Sequence, residues 1–425
     1  MELVRTTGLS GRRGRNTVSK LANRREAGDA KDRRVLSTSE SIVKAVRHSG
    51  DRALRRYAEK LDRLSPRRAL RVSEAEIEAA LAAIDPSLRA AMETAAANIR
   101  AFAERQLPQD WDFEPMAGLT VGQRVRPLDS VGCYVPGGRH PLPSTLLMTA
   151  IPAQVAGVRR IVVVSPNPAP ETLAAAALAG IKEFYRVGGA QAVAALAYGT
   201  DTIERVDKIV GPGNAYVTAA KQLVSASGAC AIDMLAGPTE IIVTSEGGDP
   251  REIASDLVAQ AEHDPDALAV FITATAALAK QVVAEVKLQA AANPVAKQSL
   301  EDNGVAIIAG SVEEARVITN LLAGEHLTVD DASDLAWVRH AGSVFIGRYS
   351  PQPMGDYVSG PNHTLPTGGQ ARLRGGLSVA DYVKVLTVQQ YTREGLETLG
   401  PAAIRLAEAE GLSGHAAAVR ARGLA

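Results

Sequence analysis

The chain has 425 residues, 46% of them hydrophobic, and its 47 Lys and Arg balance 47 Asp and Glu for a formal net charge of +0. At about 150 residues per domain it holds two or three domains with cores of their own. Neutrality excludes the basic footprint of a protein that binds nucleic acid or an anionic membrane, and no stretch reaches the ~18 uncharged apolar residues of a membrane helix.

The opening stretch, MELVRTTGLSGRRGRNTVSKLANRR, is basic and has no apolar core. It is expected to be a solvated amphipathic helical segment over 1–27 rather than a secretory signal, with an organellar leader as the alternative. Long helical patterns follow, and Ser73 with Glu76 forms a capping box on SEAEIEAALAAI. A Gly/Pro-rich run, GCYVPGGRHPLPS, comes next and carries His140, which suits either a plain loop or a site. From there short β-rich runs alternate with Ala-rich helices, at 161–164, 208–210, 240–243, 270–273, 305–308 and 344–346. Alternating β and α elements imply an α/β fold built on parallel sheets.

Two such units are expected, at 134–241 and 242–377, with the early helices of 28–133 completing the second. After residue 347 the β signal gives way to a Gly/Pro loop. A helical tail over 378–425 is too short for its own core, so it must dock on the body or on a neighbouring subunit. The two cysteines, Cys133 and Cys230, are too few for a disulfide framework and suit a reducing cytoplasm. Cys133 beside Tyr134 invites a thiol mechanism, but no activating base is evident, so that role is rejected.

The chemistry-bearing residues cluster late. DLVAQAEHDPDA lies in a helix opened by Asp249–Pro250 and closed by Asp264–Pro265. Gln260 and His263, three apart, share one face of it. Alone the pair reads as a hydrogen-bonded helix end sooner than as a metal site. In LLAGEHLTVDD, Gly324 reads as a helix stop that leaves Glu325 and His326 in a loop, a carboxylate beside an imidazole suited to acid/base work near neutral pH. MGDYVSGPNHTLPTGG places Asp356 and His363 in one Gly/Pro loop, and EAEGLSGHAAAV carries Glu410 and His415. His48 and His340 sit in charged helical contexts and read as surface residues. A set of Gln, His and Asp ligands without thiolates suits a borderline cation such as zinc, with manganese or cobalt able to substitute. Two glycine motifs, RVGGAQAVAALAYG with Gln191 and VGPGNAYV with Asn214, run from strands into helices, where α/β folds hold nucleotides and phosphates. Neither matches G-x-G-x-x-G, and from the glycines alone tight turns serve as well.

Taken in order, GCYVPGGRHPLPS, GGAQAVAALAYGT, VGPGNAYVTAAK, IDMLAGPTE, AQAEHDP, GEHL, GDYVSGPNHTLPT and EGLSGHAAAV resemble the histidinol dehydrogenases, from about residue 35 to the C-terminus. The resemblance implies two incomplete Rossmann-like parallel-sheet domains with small helical N- and C-terminal segments. It implies oxidation of L-histidinol to L-histidine, through L-histidinaldehyde, with two NAD⁺ and one zinc ion per subunit. The metal ligands then fall on Gln260, His263, Asp356 and His415, and the catalytic pair on Glu325 and His326. NAD contacts fall on Tyr134, Gln191 and Asn214. Substrate contacts fall on Thr239, His363 and Glu410, besides His326 and the four metal ligands. It further implies a cytoplasmic homodimer that exchanges C-terminal tails, bringing Glu410 and His415 to the neighbour's site. Thr239 departs from the Ser common at that position but keeps the hydroxyl. The alternatives are a related zinc- and NAD-dependent dehydrogenase of another small polar alcohol, and a non-catalytic binding protein. Glu410 and His363 favour a cationic, nitrogenous substrate over an anionic one, and the Glu325/His326 pair favours catalysis.

Overall fold

The computed structural model describes residues 1–5, 12–23, 30–137 and 141–423, and His140 lies outside them. The expected α/β class holds, as two separate parallel sheets. The first has six strands in the order Glu2–Arg5, Val305–Ile308, Leu268–Thr273, Glu240–Thr244, His326–Val329 and Ser343–Ile346. The second has five, in the order Glu183–Tyr185, Arg160–Val164, Ser130–Tyr134, Lys208–Val210 and Ala231–Ile232. In each sheet the chain leaves a central strand in one direction and later returns to its other side. Leu268–Thr273 is buried at every position, as its unbroken LAVFIT run requires of a strand covered by helices on both faces.

Several boundaries differ from the sequence expectation. The five-stranded sheet begins at Ser130, and after the edge strand Glu2–Arg5 the six-stranded one resumes at Glu240, so the strand run expected over 134–241 is shifted by a few residues. The early helices Ala30–Leu61, Glu74–Ala83 and Pro86–Gln106 pack on helices of the five-stranded sheet, not on the unit of 242–377 as expected. Ile99 and Met92, for example, join the core of Leu146, Met148 and Phe184. The N-terminal segment is not purely helical: Glu2–Arg5 is an edge strand paired in parallel with Val305–Ile308. The tail is not purely helical either. Val383–Tyr391 is a nine-residue strand, antiparallel to Leu119–Pro127, which in turn pairs with Trp111–Met116. This third sheet stands off the body and leaves Trp111, Phe113, Val385, Leu386, Val388 and Tyr391 exposed. Helices Arg393–Ala409 and Ser413–Arg420 follow it and pack on each other. Among the described residues, no helix is long and apolar enough to cross a membrane.

Candidate active site

The expected catalytic pair lies at the amino edge of the six-stranded sheet: Glu325 ends the short loop after the helix, as expected, but His326 is already in a strand. Helix Val312–Leu322 ends on Ala323, which takes the left-handed conformation that Gly324 was expected to supply (φ 49°). The chain therefore re-enters a strand at once, and His326 is the first residue of His326–Val329. Beside it, Thr239 directly precedes the central strand Glu240–Thr244.

Helix Pro250–Ala261 runs back to this same edge. Asp249 caps it by accepting from the Arg251 N–H (2.8 Å), and Pro250 occupies the first turn. Gln260 falls in its last turn, buried, while His263 lies two residues past the helix end and is exposed.

These groups form one hydrogen-bonded chain. The Gln260 amide nitrogen donates to Thr239 Oγ1. That hydroxyl in turn donates to Glu325 Oε2 at 2.6 Å, where the Glu240 N–H also arrives at 2.7 Å. Gln260 Oε1 is left buried with no hydrogen-bond partner among the described residues. An orphaned buried carbonyl costs free energy unless a ligand meets it, and the acceptor suits a cation. Thr239 was expected as a substrate contact; here its one hydroxyl links a candidate metal ligand to a candidate base.

His326 is fixed on both sides. Its Nδ1 lies 3.0 Å from the Glu240 carbonyl, which can only accept, so the neutral ring carries its proton on Nδ1. Its Nε2, which carries the second proton when the ring is charged, faces Asp356 Oδ1 at 3.6 Å. Phe345 packs beside the ring, centroids 5.9 Å apart. Burial alone would lower the His326 pKa, but the Glu325 and Asp356 carboxylates outweigh it and hold it above the ordinary imidazole range. Burial raises Glu325 above the usual carboxylate range, against the opposing pull of His326 and Thr239.

Asp356 sits in the short helix Pro353–Tyr357. Gln352, which sequence reasoning did not single out, donates to Asp356 Oδ2 at 2.7 Å and so leaves Oδ1 toward His326. Only its place four residues earlier, across one helical turn, could have signalled it. His363 has both ring nitrogens engaged: Nδ1 at 2.9 Å from the Asp356 carbonyl and Nε2 at 3.0 Å from Thr145 Oγ1. Thr145 lies in the first turn of helix Pro143–Ala156, which follows the central strand of the five-stranded sheet. Through His363, the amino edge of one sheet therefore meets the carboxyl edge of the other. His326, Phe345, Asp356 and His363 line a cavity of ≈ 330 Å³ at this junction. A larger hollow of ≈ 730 Å³ opens at the opposite edge of the six-stranded sheet, bordered by Asp249, Glu252, Asp256 and Asp330, and none of the expected site residues lines it.

Tyr134, Gln191 and Asn214 all lie at the carboxyl edge of the five-stranded sheet. Tyr134 ends its strand, buried, with its hydroxyl accepting from the Gly189 N–H at 2.9 Å. Gly211 must be glycine, since at φ +109° a Cβ would lie 2.2 Å from the Tyr134 carbonyl oxygen. Asn214 caps helix Ala215–Ala226 by accepting from the Tyr216 and Val217 N–H groups, and is exposed. Burial pushes the nearby Cys133 thiol up to about 12, which suits its rejection as a nucleophile.

Glu410 and His415 are not brought to this cluster. Both are exposed, on helices whose packing is chiefly with each other. Among the described residues, no group of three or more His, Cys, Asp or Glu within the chain is placed to hold a metal ion.

A family model described as histidinol dehydrogenase matches residues 24–423. The chain is similar to the histidinol dehydrogenase of Gluconobacter oxydans, 47% identical over 92% of this chain and 93% of the relative. It is similar also to that of Rhodospirillum rubrum, 47% identical over 95% and 94%. The crystal structure of histidinol dehydrogenase from Elizabethkingia anophelis superposes with a TM-score of 0.91 at 36% identity, covering 99% of this chain and 98% of that one.

Proposed function

The chain belongs to the histidinol dehydrogenase family and oxidises histidinol in histidine biosynthesis; on that premise we propose a four-electron oxidation of L-histidinol to L-histidine by way of L-histidinaldehyde. The reaction consumes two NAD⁺ and one water and needs one zinc ion per subunit. The observation that carries this reading is the buried, unpartnered Gln260 Oε1 beside the Thr239–Glu325–His326 chain.

Gln260, His263 and Asp356 would hold the zinc ion, with His415 supplied by the tail of a second subunit. When bound, the ion would supply a template for the substrate's amine and imidazole nitrogens, and NAD⁺ the acceptor for two hydrides. The chain's own groups move the protons. With zinc on Asp356 that carboxylate would no longer hold the ring charged, and His326 Nε2, bare in the neutral tautomer that the Glu240 carbonyl fixes, takes the alcohol proton in the first oxidation. Glu325, raised toward neutrality by burial, takes a proton from water as it adds to the aldehyde. His326 takes the proton of the hydrate in the second oxidation. Thr239 holds Glu325 and Gln260 in register throughout.

A homodimer is supported by the third sheet, whose register puts the exposed Trp111, Phe113, Val385 and Tyr391 on one face, an apolar surface of the kind that marks protein interfaces. Tail exchange would also explain why Glu410 and His415 stand away from the site of their own chain. A cytoplasmic location suits two buried free cysteines and a biosynthetic role.

The test is NADH stoichiometry with L-histidinol, before and after chelation and zinc readdition. Two NADH per histidinol, lost with the metal and restored by zinc, is the expected result. One NADH per histidinol, or turnover that survives complete chelation, overturns the reading.

A further inference from the structure

Gln191 is fully buried at the start of helix Gly189–Tyr198, yet its Oε1 has no hydrogen-bond partner among the described residues. The reason is a residue 129 positions away. Asp62, buried just past the end of helix Ala30–Leu61, accepts from the Gln191 Nε2 at 3.1 Å and from the Gly188 N–H at 3.0 Å. A carboxylate can only accept, so it fixes which way the Gln191 amide is turned: nitrogen toward Asp62, oxygen away from it. The oxygen lies over Gly189, 2.7 Å from where a Cβ would stand at φ +61°.

This changes what the helix N-terminus offers. Backbone N–H groups at such a site ordinarily favour anions. Here a buried carboxylate and an unpartnered carbonyl oxygen stand among them, and two of the glycine N–H groups are taken, that of Gly188 by Asp62 and that of Gly189 by Tyr134. A phosphate oxygen meeting Gln191 Oε1 would pair acceptor with acceptor. The Tyr134 hydroxyl accepts from Gly189 and so keeps its own proton for a ligand.

We propose that Asp62 is a positioning residue of the nucleotide site: by holding the Gln191 carbonyl outward, it makes this position take a neutral ligand group bearing an N–H or O–H donor, not a phosphate. The inference rests on the NAD⁺ reading above. Two groups of that cofactor have the chemistry, the nicotinamide carboxamide and a ribose hydroxyl. The carboxamide matches both Gln191 and Tyr134, as it carries a donor and an acceptor together.

The experiment is NADH binding to the zinc-free enzyme, followed by fluorescence titration, with thermal midpoints to verify folding. Gly188 and Gln191 donate to the same oxygen, Asp62 Oδ2, so one acceptor at that place is what holds the amide. Asp62→Ala removes it and frees the Gln191 amide to turn, and affinity is expected to fall roughly tenfold. Asp62→Asn keeps a carbonyl oxygen at that place and with it both bonds, and its affinity stays within about threefold of the parent. Gln191→Glu sets two carboxylates together and also weakens binding. A dinucleotide with acetyl in place of the carboxamide separates the two donors on the unaltered protein. Weaker binding of it assigns the carboxamide, and equal binding assigns the ribose hydroxyl. Unchanged affinity in a folded Asp62→Ala enzyme, or an Asp62→Asn enzyme as weak as the alanine variant, overturns the proposal. Failure of the unaltered enzyme to bind NADH at all overturns the cofactor reading itself.

Discussion

Thr239 donates its hydroxyl proton to Glu325 at 2.6 Å, and the same oxygen accepts from the Gln260 amide. One side chain therefore orients both the candidate water-activating base and a candidate metal ligand. Thr239→Val keeps the shape but removes both bonds. It is expected to slow histidinaldehyde oxidation roughly tenfold and to weaken zinc retention, whereas Thr239→Ser restores both. Steady-state rates with zinc content measured on the same samples check this; a fully active, zinc-replete valine variant would count against the link.

Glu325 and His326 are adjacent in sequence but have separable tasks. Glu325→Gln is expected to leave the first oxidation within about threefold of normal and to slow the second by ~10² or more, the usual worth of a positioned base. A single turnover should then release one NADH quickly and the other slowly. His326→Ala should depress both phases together. Equal loss of the two phases in Glu325→Gln would remove the division of labour.

A surface carboxylate makes a pH prediction. Glu76 accepts from the buried Arg186 at 2.6 Å, and this bond, with the capping box to Ser73, lowers its pKa from 4.5 to about 2. A carboxylate depressed in the folded state stabilises above its unfolded pKa, and the contribution is lost as pH falls through the folded one. Glu76→Gln keeps the capping box and removes only the charge. It is expected to cost about 1 kcal/mol at neutral pH, discounted for a half-exposed side chain, with the difference fading between about pH 4.5 and pH 2. Urea unfolding of both proteins across that window tests it.

Much of this was legible in the sequence. Apolar β-branched runs identified 208–210, 270–273 and 305–308, since strands covered on both faces carry no polar alternation. His326–Val329 was hidden because its amino end is polar, and because Ala323 took the left-handed cap that glycine would normally supply. Val383–Tyr391, VKVLTVQQY, did carry an alternating β-branched signal beneath a tail that otherwise reads as helical. The docking of the early helices was not legible, because amphipathic periodicity names a buried face without naming what covers it. Asp62 had no local signal at all. It is one charged residue at a helix end, and its role exists only through contacts more than a hundred residues away.

Tail exchange makes its own prediction. A subunit carrying His415→Ala keeps an intact body, and one carrying His326→Ala keeps an intact tail. Each variant alone should be nearly inactive. A purified heterodimer of the two should regain about half the normal activity, because one of its two sites then joins an intact body to an intact tail. Activity no higher than that of either parent would place His415 outside the neighbour's site.

The most direct measurement is a crystal structure of the zinc-loaded enzyme, with the ion located by anomalous scattering at the zinc edge. The expected peak lies against Gln260 Oε1, His263 and Asp356, with His415 arriving from the second subunit. A peak bound elsewhere, or Gln260 Oε1 turned away from it, would contradict the account.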